Sequence, residues 1–302
     1  METPLAERLG FAPTDRVAVV HVDDIGMCHA ANEGAFEALE NGPATCGSLM
    51  VPCAWFPEAA ARARRSPAVD LGIHLTVNAE WSDYRWGPVA GRSRVPSLCD
   101  DEGFLPRTTV EVLRRAKLEE VEVELRAQID AALAAGVDVT HLDSHMGTLF
   151  FPQFFDLLVR LATDYRLPLF APPARKEVLA RFNLEHIAPV LAPLEARLRA
   201  AGVPVFDAFD ADSLDFPAGS GDAHQAKRLG RVLPGVNWLL CHASKEGEEL
   251  TAVTPDSAHA REYERTFYGG EKGRRAFAAA GIRTVGMRAL RDVMRGEDRR
   301  HA

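Results

Sequence analysis

The chain has 302 residues and a formal net charge of -8 at pH 7. This length is enough for one large α/β domain or two ordinary ones. The negative balance argues against a nucleic-acid partner or an anionic membrane surface, because both would require a basic face. The five cysteines are an odd number without a CxxC spacing, which argues against a disulfide framework and a thiolate zinc site.

The beginning of the chain, METPLAERLGFAPTDR, carries charges where a signal peptide needs an apolar core. No stretch reaches the apolar length of a membrane span. We therefore expect a cytoplasmic protein.

Short β-branched runs alternate with helical patterns in the first half of the chain. RVAVVHVDD (16–24) predicts a buried strand, and NEGAFEALENG (32–42) predicts a helix that glycine ends. The same patterns predict strands at 44–52, 69–78 and 137–145, helices at 56–65, 108–136 and 151–166, and a long loop at 79–107.

The second half continues this alternation, with strands predicted at 168–173, 203–209, 236–244 and 282–290 and helical material at 176–201. Strand–helix alternation implies parallel pairing with right-handed crossovers. No Pro/Gly/Ser-rich linker divides the chain, so we predict one α/β domain over residues 1–302. The predicted architecture is a single (β/α) barrel of seven to eight strands, irregular or incompletely closed. A doubly wound open sheet stays open as the alternative, because periodicity does not separate the two.

Several predicted strands end in aspartate or histidine. These residues are Asp23 and Asp24, His74, Asp143 and His145, and His242. In a (β/α) barrel the active site lies at the carboxyl ends of the strands. Each residue alone is explained by a core histidine or a helix cap. Together they favour one shared site, because burying several ionisable groups is costly unless they are paired or hold a metal.

His141 and His145 have a spacing that would place both on one face of a helix. Their flanks favour a strand, along which they would lie roughly 13 Å apart, at about 3.3 Å per residue. Only one of them can therefore bind a shared ion, and His145 is nearer the strand end. We expect His141 to support the site from behind or to be structural.

Four motifs occur in the order VHVDDIGMCHAANEG, DLGIHLT, THLDSH and LLCHAS. Together they resemble the YdjC-like carbohydrate deacetylases, which are related in architecture to the polysaccharide deacetylases of the NodB type. The order and spacing match from residue 16 to residue 245. The resemblance implies a metal-dependent hydrolase that removes an N-acetyl group from an acetylated amino sugar or oligosaccharide.

The resemblance also implies individual roles. Asp24, His74 and His145 would hold one divalent ion. Asp23 stands where the family has the general base that activates water, and His242 where it has the histidine that assists the leaving amine.

The identity of the ion stays open between Mg²⁺ and Zn²⁺. Two imidazoles and one carboxylate suit zinc or another transition metal better than magnesium, whereas the family is often described with magnesium. Asp143 is placed to orient a histidine as a hydrogen-bond acceptor behind the ligands.

The chain departs from the family beside the site, where MGT follows THLDSH and many members have further histidines. The loop EWSDYRWGP is also distinctive, so the substrate of characterised members cannot be assumed. Its aromatic residues Trp81, Tyr84 and Trp86 are candidates for stacking on a sugar, with packing inside a lid as the equal alternative.

Two other functions stay open. A metal-dependent barrel hydrolase of the phosphoesterase or amidohydrolase type would use similar ligands but usually needs a second metal, for which the sequence offers no further His/Asp cluster. A non-catalytic sugar-binding barrel is the other, although binding alone does not need Asp23 as a base. The expected partner is an acetylated sugar, and a homo-oligomer is left open.

Overall fold

The computed structural model describes residues 3–297. The strands are β1 (Arg16–Ile25), β2 (Cys46–Leu49), β3 (Leu71–Leu75), β4 (Val139–Ser144), β5 (Ala208–Asp210), β6 (Gly235–Cys241) and β7 (Ile282–Thr284). The α-helices are α1 (Leu5–Arg8), α2 (His29–Asn41), α3 (Phe56–Arg65), α4 (Thr109–Arg115), α5 (Leu118–Ala134), α6 (Phe155–Tyr165), α7 (Lys176–Leu179), α8 (Ala188–Ala200), α9 (Gly221–Gly230), α10 (Glu248–Val253), α11 (Ala258–Tyr268), α12 (Glu271–Ala279) and α13 (Met287–Arg295). Within residues 3–297, no helix combines the length and apolar character needed to cross a bilayer.

All seven strands belong to one parallel sheet. Six of them follow the order β4-β3-β2-β1-β6-β5, and β7 lies off this path. The short β7 pairs with the first three residues of β1, beyond the part of β1 that pairs with β2. β1 is therefore central, and its residues 17–22 are all buried. A near-continuous apolar run of this kind is typical of a parallel strand that is covered on both faces.

The predicted α/β class is confirmed, but the predicted barrel is not. A bridge between Leu142 and Leu169 extends the sheet beyond β4. On the other side of the gap, the ring of Phe170 lies 6.3 Å from that of Phe209 in β5. Among the described residues, no ladder of backbone hydrogen bonds joins these two edges, so closure of the sheet is not established.

Two predicted elements differ from the structure for local reasons. The helix expected over 108–136 is divided into α4 and α5, because the backbone N–H of Lys117 donates to Oγ of Ser97 at 3.0 Å instead of continuing the helix. The strand expected over 282–290 stops at Thr284, and α13 begins after Gly286. There the carboxylate of Asp70 accepts a hydrogen bond from the N–H of Arg288 at 2.6 Å.

Two further predicted strands are shorter than expected. The segment 168–173 pairs with the sheet only at Leu169, and the strand expected over 203–209 is reduced to β5. The strands that carry the candidate site residues lie where the sequence predicts them. Because these strands are parallel, their carboxyl ends meet at one edge of the sheet.

Candidate metal centre and active site

The end of β1 is irregular at the Asp-Asp pair. The register between β1 and β2 shifts between Val22 and Ile25, and Asp24 has a left-handed backbone with φ of 66°. Neighbouring side chains of a regular strand point to opposite faces. Here, Oδ2 of Asp23 and Oδ1 of Asp24 lie 3.9 and 3.6 Å from the same atom, Nε2 of His74. The irregularity therefore brings both carboxylates into one site, and such uncommon conformations concentrate at functional sites.

Asp24, His74 and His145 form a buried group whose potential ligand atoms all lie within 4.8 Å of one another. Oδ1 of Asp24 lies 3.5 Å from Nδ1 of His145. This oxygen is buried and has no hydrogen-bond partner among the described residues. A buried carboxylate oxygen without a partner is costly unless it holds a cation. The three residues therefore fit a divalent metal ion, for which two imidazoles and a carboxylate are a suitable donor set.

A carboxylate supports each of the two imidazoles from behind. Nδ1 of His74 lies 2.8 Å from Oδ2 of Asp143, and Nε2 of His145 lies 3.0 Å from Oε2 of Glu80. The other nitrogen of each ring is left facing Asp24. This arrangement fixes the tautomer and raises the basicity of metal-binding histidines.

The supporting carboxylates also determine the electrostatics of the two imidazoles. Burial by itself lowers the pKa of His145, but the charges of Glu80 and Asp24 outweigh it and raise that pKa to about 10. Burial also lowers the pKa of His74, but the charge of Asp143 outweighs it, so the pKa of His74 is raised above its usual value. The site therefore favours positive charge at both rings, as it would favour a cation between them.

Arg261 on α11 reaches the other oxygen of Asp24. Its Nη1 donates to Oδ2 of Asp24 at 2.8 Å. Burial alone raises the pKa of Asp24, but Arg261 and the nearby histidines outweigh it, so that the pKa lies well below its usual range. Arg261 thus holds one oxygen of the carboxylate and keeps it ionised, while Oδ1 stays available to a ligand.

His242 follows β6 directly and faces the Asp-Asp pair. Its Nε2 lies 3.9 Å from Oδ2 of Asp23 and 3.9 Å from Oδ2 of Asp24. Its Nδ1 lies 2.9 Å from Oγ of Ser213, which is also 2.8 Å from the Glu264 carboxyl group. Burial lowers the pKa of His242 to about 4, despite the charge of Asp24. The ring is therefore neutral near pH 7.

His141 does not belong to the Asp24–His74–His145 group. It is fully buried, and its Nε2 lies 2.9 Å from Nε2 of His21. His21 in turn places Nδ1 2.6 Å from Oδ1 of Asp23. His141 thus contacts the site through a second histidine, behind the residues that face the cavity.

A cavity of about 420 Å³ opens above these side chains. Its floor includes Asp23, Asp24, His74, His145 and His242. One wall is apolar and is formed by Met146, Phe150, Phe170, Leu184, Phe209 and Trp238. The cavity therefore combines a floor of ionisable side chains with an apolar wall that is rich in aromatic residues.

The three aromatic residues of the loop after β3 pack on one another and do not line this cavity. Nε1 of Trp86 donates to the carbonyl of Asn78 at 2.7 Å, and the hydroxyl of Tyr84 donates to the carbonyl of Met27. The ring of Trp81 lies 5.6 Å from that of Trp86. Contact of these three residues with a sugar stays a prediction. The structure shows that they pack on one another, as the alternative of packing inside a lid requires.

The hydroxyl of Ser48 lies 3.0 Å from Nδ1 of His74 and donates to Asp143 at 3.1 Å. Sequence reasoning missed this residue and several others that contact the predicted site, namely His21, Glu80, Ser213, Arg261 and Glu264. His21 had a usable signal, because residues two apart on a strand share a face and Asp23 is two positions later. Glu80 had only its position after β3 as a signal. Arg261 and Glu264 come from α11, far along the chain, and no local pattern connects them with β1.

The fold and the site together define a parallel α/β protein with a carboxylate–imidazole centre at the carboxyl edge of its sheet. The family model for YdjC-like proteins matches residues 17–279. The chain therefore belongs to the YdjC-like family, as its four motifs predict.

Curated relatives carry enzyme names. The chain is 42% identical over 258 residues to a carbohydrate deacetylase of Thermus thermophilus, which covers 83% of this chain and 86% of that protein. It is 36% identical over 154 residues to a carbohydrate deacetylase of Brevibacillus brevis, 51% of this chain and 58% of the relative. A chitooligosaccharide deacetylase of Yersinia enterocolitica is 29% identical over 163 residues, 51% and 59% of the two chains.

A solved structure supports the fold. An Enterococcus faecalis protein named for cellobiose-phosphate cleavage superposes with a TM-score of 0.73 and 22% sequence identity, covering 91% of this chain and 99% of that one. At this identity the likeness establishes the shared α/β fold alone.

Proposed function

We propose that this protein is a metal-dependent carbohydrate deacetylase that removes an N-acetyl group from an acetylated amino sugar or oligosaccharide. The observation that carries the proposal is that Oδ1 of Asp24, between His74 and His145, has no hydrogen-bond partner within residues 3–297, with Asp23 beside it on the floor of a cavity. The names of the relatives support sugar deacetylation.

Asp24, His74 and His145 would hold the divalent ion through Oδ1, Nε2 and Nδ1, the atoms that face one another. Such an ion supplies Lewis-acid polarisation of a carbonyl oxygen and lowers the pKa of water, to about 7 in the zinc case. The two nitrogen donors favour zinc or another transition metal, although magnesium stays open.

We infer that Asp23 acts as the general base. Its Oδ1 is held by His21 at 2.6 Å, which leaves Oδ2 toward His74 and His242. In amide hydrolysis a water oxygen bonds to the acetyl carbon, the C–N bond breaks, and the amine nitrogen gains a proton. Asp23 takes the proton that the attacking water loses.

We infer that His242 returns a proton to the leaving amine. Because its pKa is about 4, it is neutral before the reaction and must first receive a proton. Its Nε2 lies 3.9 Å from Oδ2 of Asp23. We therefore infer that the proton which Asp23 takes from water is the one that His242 receives and passes to the amine. Water then supplies both the oxygen of acetate and the proton of the amine.

The apolar wall of the cavity is suited to a sugar ring. Phe150, Phe170 and Phe209 line the same cavity as the ionisable residues. Aromatic side chains present large apolar area to the less polar face of such a ring. This arrangement would hold the sugar while its acetamido group reaches the floor.

The proposal is tested by measuring acetate release over a panel of N-acetylated mono- and oligosaccharides, with metal content determined on the same sample. We expect acetate from at least one sugar, about one ion per chain, and loss of turnover in chelator. Asp23→Asn is the matched control and should keep the ion but lose kcat by about 10²- to 10⁴-fold, because the amide keeps the shape without accepting the proton.

The alternatives give different results in the same assay. A sugar-binding barrel would bind the sugars without releasing acetate. A metal-dependent phosphoesterase would release phosphate from a panel of sugar phosphates and leave the acetamides intact. A metal-loaded Asp23→Asn protein with near-native turnover would end the assignment of Asp23 as the base.

A further inference from the structure

We propose that His21 and His141 are positioning residues that hold Asp23 in place through a buried hydrogen-bonded chain ending at Thr140 and Asp70. The proposal rests on the proposed function, because the role of this hydrogen-bonded chain depends on Asp23 being the general base. Its geometry can be tested without an activity assay.

The chain consists of successive contacts through the core. Oδ1 of Asp23 lies 2.6 Å from Nδ1 of His21, and the two Nε2 atoms of His21 and His141 lie 2.9 Å apart. Nδ1 of His141 lies 2.9 Å from Oγ1 of Thr140. The Thr140 hydroxyl also donates to Asp70, whose other oxygen accepts from the N–H of Arg288. All four imidazole nitrogens are therefore engaged.

The number of hydrogens in this chain restricts both rings. An ionised Asp23 only accepts, so Nδ1 of His21 carries a hydrogen. The single hydrogen of the Thr140 hydroxyl goes to Asp70, so Nδ1 of His141 donates to Oγ1 of Thr140. A neutral His141 then accepts at Nε2, and the hydrogen of the contact between the two Nε2 atoms belongs to His21. Burial lowers the pKa of His141 well below its usual range, which is consistent with a neutral ring there.

The surrounding packing fits the two imidazoles closely. A Cβ at Gly72 of β3 would lie 2.6 Å from Cδ2 of His141, so only glycine leaves room for that ring. The ring of His21 stacks on Trp238 at 4.2 Å. His21, Thr140 and His141 are fully buried, so water is not at hand to replace a lost contact.

His21, Cys46 and His141 also lie close enough together to be considered as metal ligands. The hydrogen bonds described above already occupy both nitrogens of each ring. We therefore assign this group to support of Asp23 and expect no second ion in it.

The activity test compares two substitutions at His141. His141→Leu removes both hydrogen bonds and should lower kcat about 10- to 100-fold, the usual effect of losing a supporting partner, with KM and metal content unchanged. His141→Gln keeps an amide near the position of Nε2 and should recover most of kcat. Thermal unfolding of both variants verifies the fold, and Thr140→Val, which removes only the hydroxyl, tests the next contact if His141→Leu does not fold.

A second test uses nitrogen chemical shifts of the imidazole rings in isotope-labelled protein. We expect His141 in a single neutral tautomer, with its hydrogen on Nδ1, in the wild-type protein, and loss of that single tautomer in Thr140→Val, which removes the acceptor of this hydrogen. Averaging in the wild-type chain, unchanged kcat in folded His141→Leu, or a second ion lost in that variant would each overturn the proposal. If the single tautomer is found but no sugar yields acetate, the chain of hydrogen bonds stands and the proposed function fails.

Discussion

His74 and His145 on one side of the site differ from His242 on the other in what stands behind each ring. Asp143 and Glu80 support the first two imidazoles at 2.8 and 3.0 Å, whereas the hydroxyl of Ser213 supports His242 at 2.9 Å. The pKa of His145 is raised to about 10, but that of His242 is lowered to about 4. The shift in pKa at the two buried imidazoles is therefore opposite in direction to that at His242, which is only partly buried.

The difference has a simple physical cause. Burial lowers the pKa of every one of these rings, because it disfavours the charged form. A carboxylate in direct hydrogen-bond contact outweighs burial, whereas a neutral hydroxyl does not. The carboxylate-supported rings are therefore suited to a cation, and the hydroxyl-supported ring is suited to receiving and releasing a proton.

The largest expected effect is at the three proposed metal ligands. Asp24→Ala, His74→Ala and His145→Ala should each lose the ion and reduce turnover to background, because each removes a donor atom from a buried group of three. His141→Ala should keep the ion. Metal analysis of the purified variants decides this, and a result in which His141 is essential and His145 dispensable would reverse the assignment.

His242→Gln should separate the two sides of the site. We expect it to keep the ion but to lower kcat by about 10²- to 10⁴-fold, because glutamine cannot carry a proton to the leaving amine. Metal content and steady-state kinetics are measured on the same preparation. Loss of the ion in this variant would make His242 a metal ligand, and its role would then not differ from that of His74 and His145.

Substitutions behind the ligands should have an intermediate effect on metal affinity. Asp143→Asn and Glu80→Gln keep the shape of the side chain but remove its charge. Each should lower the affinity for the ion by about 10- to 100-fold. A competition titration with a chelator measures the change. Glu122→Gln on α5, whose carboxylate pairs with Arg126 and Arg160, is the matched control and should leave affinity unchanged.

The smallest effect is expected at Ser213. Ser213→Ala removes the hydrogen bond to His242, worth about 1 kcal/mol, which corresponds to roughly fivefold in kcat, together with the contact between Ser213 and Glu264. The N–H of His242 still donates to Glu264 at 2.7 Å, so the ring stays near its position. Metal affinity should not change. A decrease in affinity as large as that of Asp143→Asn would show that the two sides of the site are not separable.

Much of this site was predictable from short segments. The alternation of strands and helices predicted a parallel sheet, and parallel strands bring their carboxyl ends to one edge. Asp23, Asp24, His74, His145 and His242 could therefore be grouped before any coordinates were known. The local signal was sufficient because each residue lies at the end of an apolar run, and the parallel topology brings these ends together.

The supporting contacts were not predictable in this way. Arg261 lies 237 positions from Asp24, and Glu80 meets His145 across 65 positions. Contacts of this kind depend on how helices and loops pack on the finished sheet. Periodicity within a segment carries no information about its distant neighbours.

The sequence by itself determined the strands that carry the candidate site and the acidic and imidazole groups that end them, because apolar periodicity and residue type act locally. Only the tertiary structure decided how the sheet edges meet, whether the aromatic loop faces a cavity, and where α13 replaces the expected strand. It also placed Asp24 in a left-handed conformation, which turns both neighbouring carboxylates into the same site. These features arise from packing between segments distant in sequence, whose free energy exceeds any local preference.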